Sequence, residues 1–329
     1  MVHPNVLLAL VLSTSLVWGC NSSGDVDPPP GTPDAGEQVT ECEDYVCLDL
    51  PVQGFQIKNV GVEILPQEDV EYCETLVLPG SPGEVYYVSG FESKMTLGSH
   101  HLIVSAAEVG SATEAEMTVG ELYRCVGARG NDLTGVTGQQ LPYHQESFPP
   151  GVGKIFYGGQ KVVFNFHYLN TGDSTVWAQA VVNFVTTDEA SIQKIAKSFG
   201  FFNLGINTPV GQSRSFTTTC MFNEDIMVHK LVRHTHQWGT EFPVSYAGGS
   251  KDGELIYISP SYEEPDYIFP EPVLLEAGTG FTFTCNYTNT SDSALGFGVK
   301  ATDEMCILFG DFYKAADGMI ANDEGCVTF

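Results

Sequence analysis

The strongest constraint on this chain is a succession of short β-branched and aromatic runs, each bounded by turn residues, that fills it from residue 47 onward. The first set is VEYCETLVL (70–78), EVYYVSGF (84–91), HHLIVSA (100–106), KVVFNFHYL (161–169) and TVWAQAVVNFVT (175–186). The second is SRSFTTTCMF (213–222), DIMVHKLVRHTH (225–236), ELIYISP (254–260), FTFTCNYTN (281–289), ALGFGVK (294–300) and MCILFGDFY (305–313). The segment ASIQKIAKSF (190–199) is the best helix candidate and lies near the junction of the two sets. With 329 residues, the chain has room for about two domains of ordinary size. The pattern predicts an all-β protein of two antiparallel β-sandwiches, divided as 42–195 and 196–329.

The net charge is -27, from 14 Lys+Arg against 41 Asp+Glu, with no basic patch, so nucleic acid is excluded as a partner. Residues 1–19, MVHPNVLLALVLSTSLVWG, are apolar, uncharged and too short for a membrane span, and read as a secretory signal. VWGC resembles a bacterial lipobox, in which Cys20 is lipidated and becomes the mature N-terminus; cleavage as an ordinary signal is the alternative. Residues 20–41 then form a Pro- and Gly-rich tether. Asn21 after the cysteine resembles the sorting pattern of an outer-membrane lipoprotein facing the periplasm or cell surface.

Eight further cysteines remain: Cys42, Cys47, Cys73, Cys125, Cys220, Cys285, Cys306 and Cys326. An even number in an exported chain favours disulfides, and their wide spacing lacks the knuckles of a structural zinc site. Spacing alone does not choose the pairing.

The histidines carry the chemical signal. Strand alternation puts His234 and His236 on one face, with His229 on the other. Similar pairs occur in zinc and iron sites, so the HTH triplet alone does not name the metal. His100 and His101 are neighbours and reach one metal only at a bulge or a strand end; Gly98-Ser99 supplies the irregularity, and hydrogen-bonded core histidines are the other reading. His167 in an apolar strand is more often structural than a ligand. Met305 alone is equally a packing residue, but beside HTH its thioether suits Cu(I).

Taken together, HH (100–101), HY (167–168), HTH with Gly239 (234–239), EMC (304–306), CLDLPV (47–52) and EYCETLVLP (71–79) resemble the copper type II, ascorbate-dependent monooxygenases. That family includes the peptidylglycine α-hydroxylating and dopamine β-hydroxylating enzymes, and the likeness runs over residues 47–329. The resemblance implies two tandem jelly-roll-like sandwiches with one copper each. It implies that His100, His101 and His167 hold an electron-supplying copper, and that His234, His236 and Met305 hold the catalytic copper that meets dioxygen and faces the substrate. The implied reaction hydroxylates an activated C–H bond of a small or peptide-like molecule, using O2 and two electrons from ascorbate or another external reductant. A copper-binding or metallochaperone lipoprotein without hydroxylase activity is the runner-up.

The same resemblance implies the disulfides Cys73–Cys125, Cys220–Cys326 and Cys285–Cys306. It leaves Cys42 with Cys47, a departure, because the family's partner for the CLD cysteine has no counterpart between 125 and 220. The substrate region departs as well. Val232 stands where the peptide-hydroxylating enzyme has its carboxylate-binding arginine, Arg233 has the opposite parity, and Ile307 and Phe309 replace an asparagine and a tyrosine. Asn165 is given no catalytic role, and His144 reads as a loop residue.

Overall fold

The computed structural model describes residues 45–125, 127, 132–261, 264–316 and 325–328. The expected signal (1–19), the lipidated Cys20, the tether (20–41) and Cys42 lie outside the described residues. Cys42–Phe329 forms one compact unit. Among the described residues no helix is long and apolar enough to cross a membrane.

The strands fall into four principal sheets. In the first, the order is Gly54–Lys58, Ala180–Thr187, Val85–Met95, Val152–Tyr157 and Lys194–Ile195, with Tyr143–Ser147 also paired to Val85–Met95. The second runs Leu122–Arg124, Asp69–Val77, Lys161–Leu169, Ser99–Ala107 and Leu133–Gln139. In the third the order is Tyr267–Leu275, Ile226–His234, Ile307–Lys314, Lys197–Asn203 and Gly325–Thr328. Ser213–Met221, Gly280–Thr288, Gly239–Ala247 and Leu255–Ser259 make the fourth.

This corrects the expectation of two tandem jelly-roll sandwiches: the protein is a near-all-β, four-bladed β-propeller. Its sheets have six, five, five and four strands, and the strands of the first two are interleaved along the chain. Two of the pairings are parallel, Lys194–Ile195 on Val152–Tyr157 and Lys197–Asn203 on Gly325–Thr328. Alternation of residue type reveals strands and their faces, but it does not say which strands become neighbours, and that is where the sequence reading failed.

Residue chemistry explains the position of individual strands. KVVFNFHYL is buried along nearly its whole length because it sits mid-sheet between Asp69–Val77 and Ser99–Ala107. SRSFTTTCM, by contrast, exposes alternate threonines, and these pair across the sheet as Thr217–Thr284 and Thr219–Thr282, both at 2.8 Å. One hydrophobic cluster joins the first two sheets through Phe91, Phe184, Leu102 and Phe164. A second joins the other two through Phe199, Leu308, Phe281 and Phe283.

The helix expected over 190–199 is absent. Glu189–Ser191 makes one 3-10 turn, and Lys194–Ile195 and Lys197–Asn203 are strands. The described α-helix is instead Ala112–Glu116, whose N-cap Ser111 accepts a hydrogen bond from Glu114 N. His144, expected in a loop, lies in the strand Tyr143–Ser147.

Candidate metal centre

The second and third sheets bring five histidines into one cluster. His167 sits opposite His101 in the antiparallel pair, after which the register slips so that Tyr168 faces Ser99. His100 is therefore the extra residue of a bulge, and the two neighbouring rings turn to one side instead of opposite faces. Gly98, with φ of 89°, supplies the irregular approach. His234 ends the strand Ile226–His234, and His236 follows in a turn closed by Gly239 N donating to His236 O. A Cβ at Gly239 would stand 2.4 Å from Thr235 Oγ1, so this turn requires glycine.

Ring centroids lie 5.4 Å apart for His100–His101, 5.0 Å for His100–His167 and 5.3 Å for His234–His236. Between the two expected ligand sets the separations are equally short: His100–His236 is 5.0 Å, and both His100–His234 and His101–His234 are 6.0 Å. His100, His101 and His234 place one ring nitrogen each within 4.8 Å of the others, a grouping that crosses the two sets. Met305 lines the same cavity as His101 and His234.

The ring nitrogens divide into held and free. His101 Nε2 donates to Asn165 Oδ1 at 3.0 Å, His167 Nε2 to Asp69 Oδ1 at 2.6 Å and His236 Nδ1 to the Asp303 carbonyl at 2.9 Å. His234 Nδ1 is 2.9 Å from Gln140 Oε1. The opposite nitrogens of three of these rings, His101 Nδ1, His167 Nδ1 and His236 Nε2, are buried without a hydrogen-bond partner, as is His100 Nε2. An orphaned buried nitrogen is costly, and a ring tied at one nitrogen with the other free is what metal ligation requires. Burial, then the neighbouring rings His236 and His167, holds His100 down at about 3; burial likewise keeps His101 and His234 well below the usual imidazole range. These rings are neutral at pH 7, the state that ligates. Four free imidazole nitrogens, with the Met305 thioether on the cavity wall that His101 and His234 share, fit a soft, borderline metal such as copper.

Asp69, Gln140, Asp303 and Glu304 were not singled out in the sequence. Asp69 accepts from His167 through Oδ1 and from Ala301 N through Oδ2 at 3.0 Å. Gln140 also donates to the Arg233 carbonyl at 3.0 Å. Glu304 accepts from His236 N at 2.9 Å, Trp238 N at 2.8 Å and Met305 N at 3.3 Å, tying the HTH turn to the methionine. Burial pushes the Glu304 carboxyl up to about 7. Its place inside EMC (304–306) was the available signal. Asn165 is a positioning residue: besides His101, its amide reaches Glu71 and both sulfurs of the Cys73–Cys125 disulfide.

Cys73–Cys125, Cys220–Cys326 and Cys285–Cys306 are disulfides, the pairs the resemblance implies. Cys47 is also disulfide-bonded. The Cys285–Cys306 bond anchors the backbone next to Met305.

A second cluster, Glu146, His229 and Asp311, also brings three possible ligand atoms within 4.8 Å, all buried. Here lysines already occupy the carboxylates. Lys230 Nζ lies 2.7 Å from Glu146 Oε1 and 2.8 Å from Asp311 Oδ2, and Lys154 Nζ is 3.2 Å from Asp311 Oδ1. Burial opposes both charges, but Lys154 and Lys230 hold Asp311 well below its ordinary range. The histidine cluster, with its free nitrogens, is the better metal site.

His229 sits at a bulge after Val228, with both ring nitrogens unpartnered, and burial lowers it to about 4. Its contribution to stability is complete above the unfolded value near 6.5 and is lost as pH falls through about 4, a span worth about 3 kcal/mol. Urea unfolding at pH 7 and pH 4.5 should show a smaller acid loss in His229→Leu than in the parent. Equal acid losses in the two proteins would remove His229 as a source.

A structure of PNGF-II is similar at 9% identity over 80% of this chain and 66% of that one, with a TM-score of 0.30. The VP2 subviral particle of infectious bursal disease virus is similar at 10% identity over 83% and 79%, with a TM-score of 0.18. Likenesses this weak carry no weight for fold or chemistry. A match to a family model is of another kind, since it covers the segments that carry His234, His236 and Met305. Residues 206–328 match the family model described as the copper type II ascorbate-dependent monooxygenase, C-terminal domain.

Proposed function

We propose that the chain is a copper-dependent monooxygenase that hydroxylates an activated C–H bond of an organic substrate, drawing two electrons from ascorbate or another reductant. The observation that carries this reading is the histidine cluster, with four buried imidazole nitrogens free and three of their ring-opposites tied. His100, His101 and His167 would hold one copper, and His234, His236 and Met305 the other. Copper supplies dioxygen activation and one-electron transfer when bound. The protein's own part is to fix the rings. Asp69 and Asn165 orient His167 and His101 from the second sheet, while Gln140, Asp303 and Glu304 fix His234 and the HTH turn. The division at 195/196 places one ligand set in each half. Export as an outer-membrane lipoprotein through Cys20, with Cys42–Cys47 as a local bridge, belongs to the same reading.

Anaerobic Cu(I) loading, followed by oxygen uptake and mass analysis of product, tests it. Two coppers per chain and product-coupled oxygen consumption are expected. Tight copper binding with only uncoupled reductant oxidation would instead favour copper storage or transport, a reading supported by Val232 at the position of the carboxylate-binding arginine. Asp69→Asn is expected to weaken copper affinity about 10–100-fold while leaving the fold intact. Competitive chelator titration checks this, and unchanged affinity would leave Asp69 a purely structural residue. Met305→His should retain some copper and lose most turnover; unchanged coupled turnover would remove Met305 from its role.

A further inference from the structure

Beside the histidine cluster lies a cavity of ≈ 590 Å³, within the size range of small-molecule sites. It touches His101, His234 and Met305 at one part of its wall and Lys154, Lys230 and Asp311 at another. The rest of the wall is mainly apolar, with Ile103, Val136, Val232, Phe202, Ile307 and Phe309 alongside the polar Thr137 and Gln139.

Every charged side chain on this wall is already paired. Lys230 is paired with Glu146 and Asp311, and Lys154 with Asp311. Glu71 accepts from Gly127 N at 3.0 Å and from the Asn165 amide. His101 is held through Nε2 by Asn165 and His234 through Nδ1 by Gln140, so these two rings offer at most an uncharged nitrogen. Arg233 does not reach the cavity. Its guanidinium is buried on the other side of the strand, with Nε donating to Ser259 Oγ at 2.6 Å and Ser261 O at 3.2 Å, and Nη2 to the Glu264 carbonyl. Val232, one residue earlier, takes the cavity face opposite Phe309. A carboxylate or ammonium entering here would give up water and find no free counter-charge, whereas an apolar molecule gives up no charge hydration and gains contacts with the apolar part of the wall.

We infer that this cavity binds a neutral, predominantly apolar small molecule and rejects carboxylates and amines of the same shape. As the substrate class it rests on the hydroxylase reading, but the binding preference stands without copper, so the two can fail separately. The probes are tetralin, its 1-carboxylate and its 1-amine, titrated by calorimetry into the chelator-treated, metal-free protein at pH 7. Copper stoichiometry is measured independently on the loaded protein.

Tetralin is expected to bind saturably and at least tenfold more tightly than either charged analogue. Val232→Arg places an unpaired cation on the wall and is expected to reverse the order, with the carboxylate gaining at least tenfold over tetralin. Phe309→Trp keeps the wall apolar and fills space, so it should weaken tetralin at least fivefold without improving either charged probe. This second variant provides the test should Val232→Arg not fold. Carboxylate or amine binding as tight as tetralin in the parent protein would overturn the inference, as would no saturable tetralin binding. Two coppers per chain alongside either of those results would leave the hydroxylase reading standing and this one refuted.

Discussion

His234→Ala is expected to lower the affinity for at least one copper by more than the roughly 100-fold that loss of an orienting partner can cost, and to take hydroxylation to background. His234, with His100, is one of the residues that link the two ligand sets. Its ring lies 6.0 Å from both His100 and His101, and 5.3 Å from His236. Removing it also strands the Gln140 amide oxygen, which would turn elsewhere or take up water. Copper retained after dialysis, together with the Cu(II) spin-resonance spectrum, reads the effect directly. His229→Leu is the matched control: it removes a buried histidine of the same strand, outside the cluster, and should leave copper content unchanged. Full copper content and an unaltered spectrum in His234→Ala would end the assignment of this cluster as the metal centre.

Asp311→Ala is expected to cost about 3–5 kcal/mol of stability, among the largest effects available from one side chain here. Asp311 accepts from Lys230 at 2.8 Å, Lys154 at 3.2 Å and Ser198 Oγ at 2.6 Å. Deleting it leaves Lys230 with Glu146 as its one carboxylate partner and takes from Lys154 the carboxylate it is paired with. The penalty comes from the stranded cations more than from the lost bonds, so Lys230→Met in the same chain should restore part of the loss. Urea unfolding of the single and double variants measures both. A cost below about 1 kcal/mol would mean that water or movement rescues the lysines.

The local parts of the site were visible in the sequence, and the reasons are physical. Gly98-Ser99 before two adjacent histidines signals a bulge, since only an extra residue turns neighbouring side chains to one side. KVVFNFHYL reads as a strand because buried mid-sheet strands are continuously apolar. In 190–199, however, Ile192, Ile195, Ala196 and Phe199 fall at helical spacing, and pairing to Val152–Tyr157 and Ile307–Lys314 overrides that period. The convergence of all five histidines, and the grip of Asp69 and Gln140 on them, depends on which sheets face each other. No periodicity encodes that. The fold class failed for the same reason: each strand can be read locally, whereas the order of strands is settled by long-range pairing.

Asp69 and Gln140 carry one further consequence, for modularity. The segment 206–328 looks self-sufficient, with its own His234, His236, Met305 and two disulfides. Yet His234 is steadied by Gln140, Ala301 by Asp69, and Lys230 and Asp311 are neutralised partly by Glu146 and Lys154, all supplied from outside the segment. Excised, it would expose a Lys230–Asp311 pair stripped of its two outer partners, and an unguided imidazole. The second half is a continuous stretch of sequence without being an interchangeable part. A graft of this chemistry onto another scaffold would have to bring along the residues that hold it from the first half.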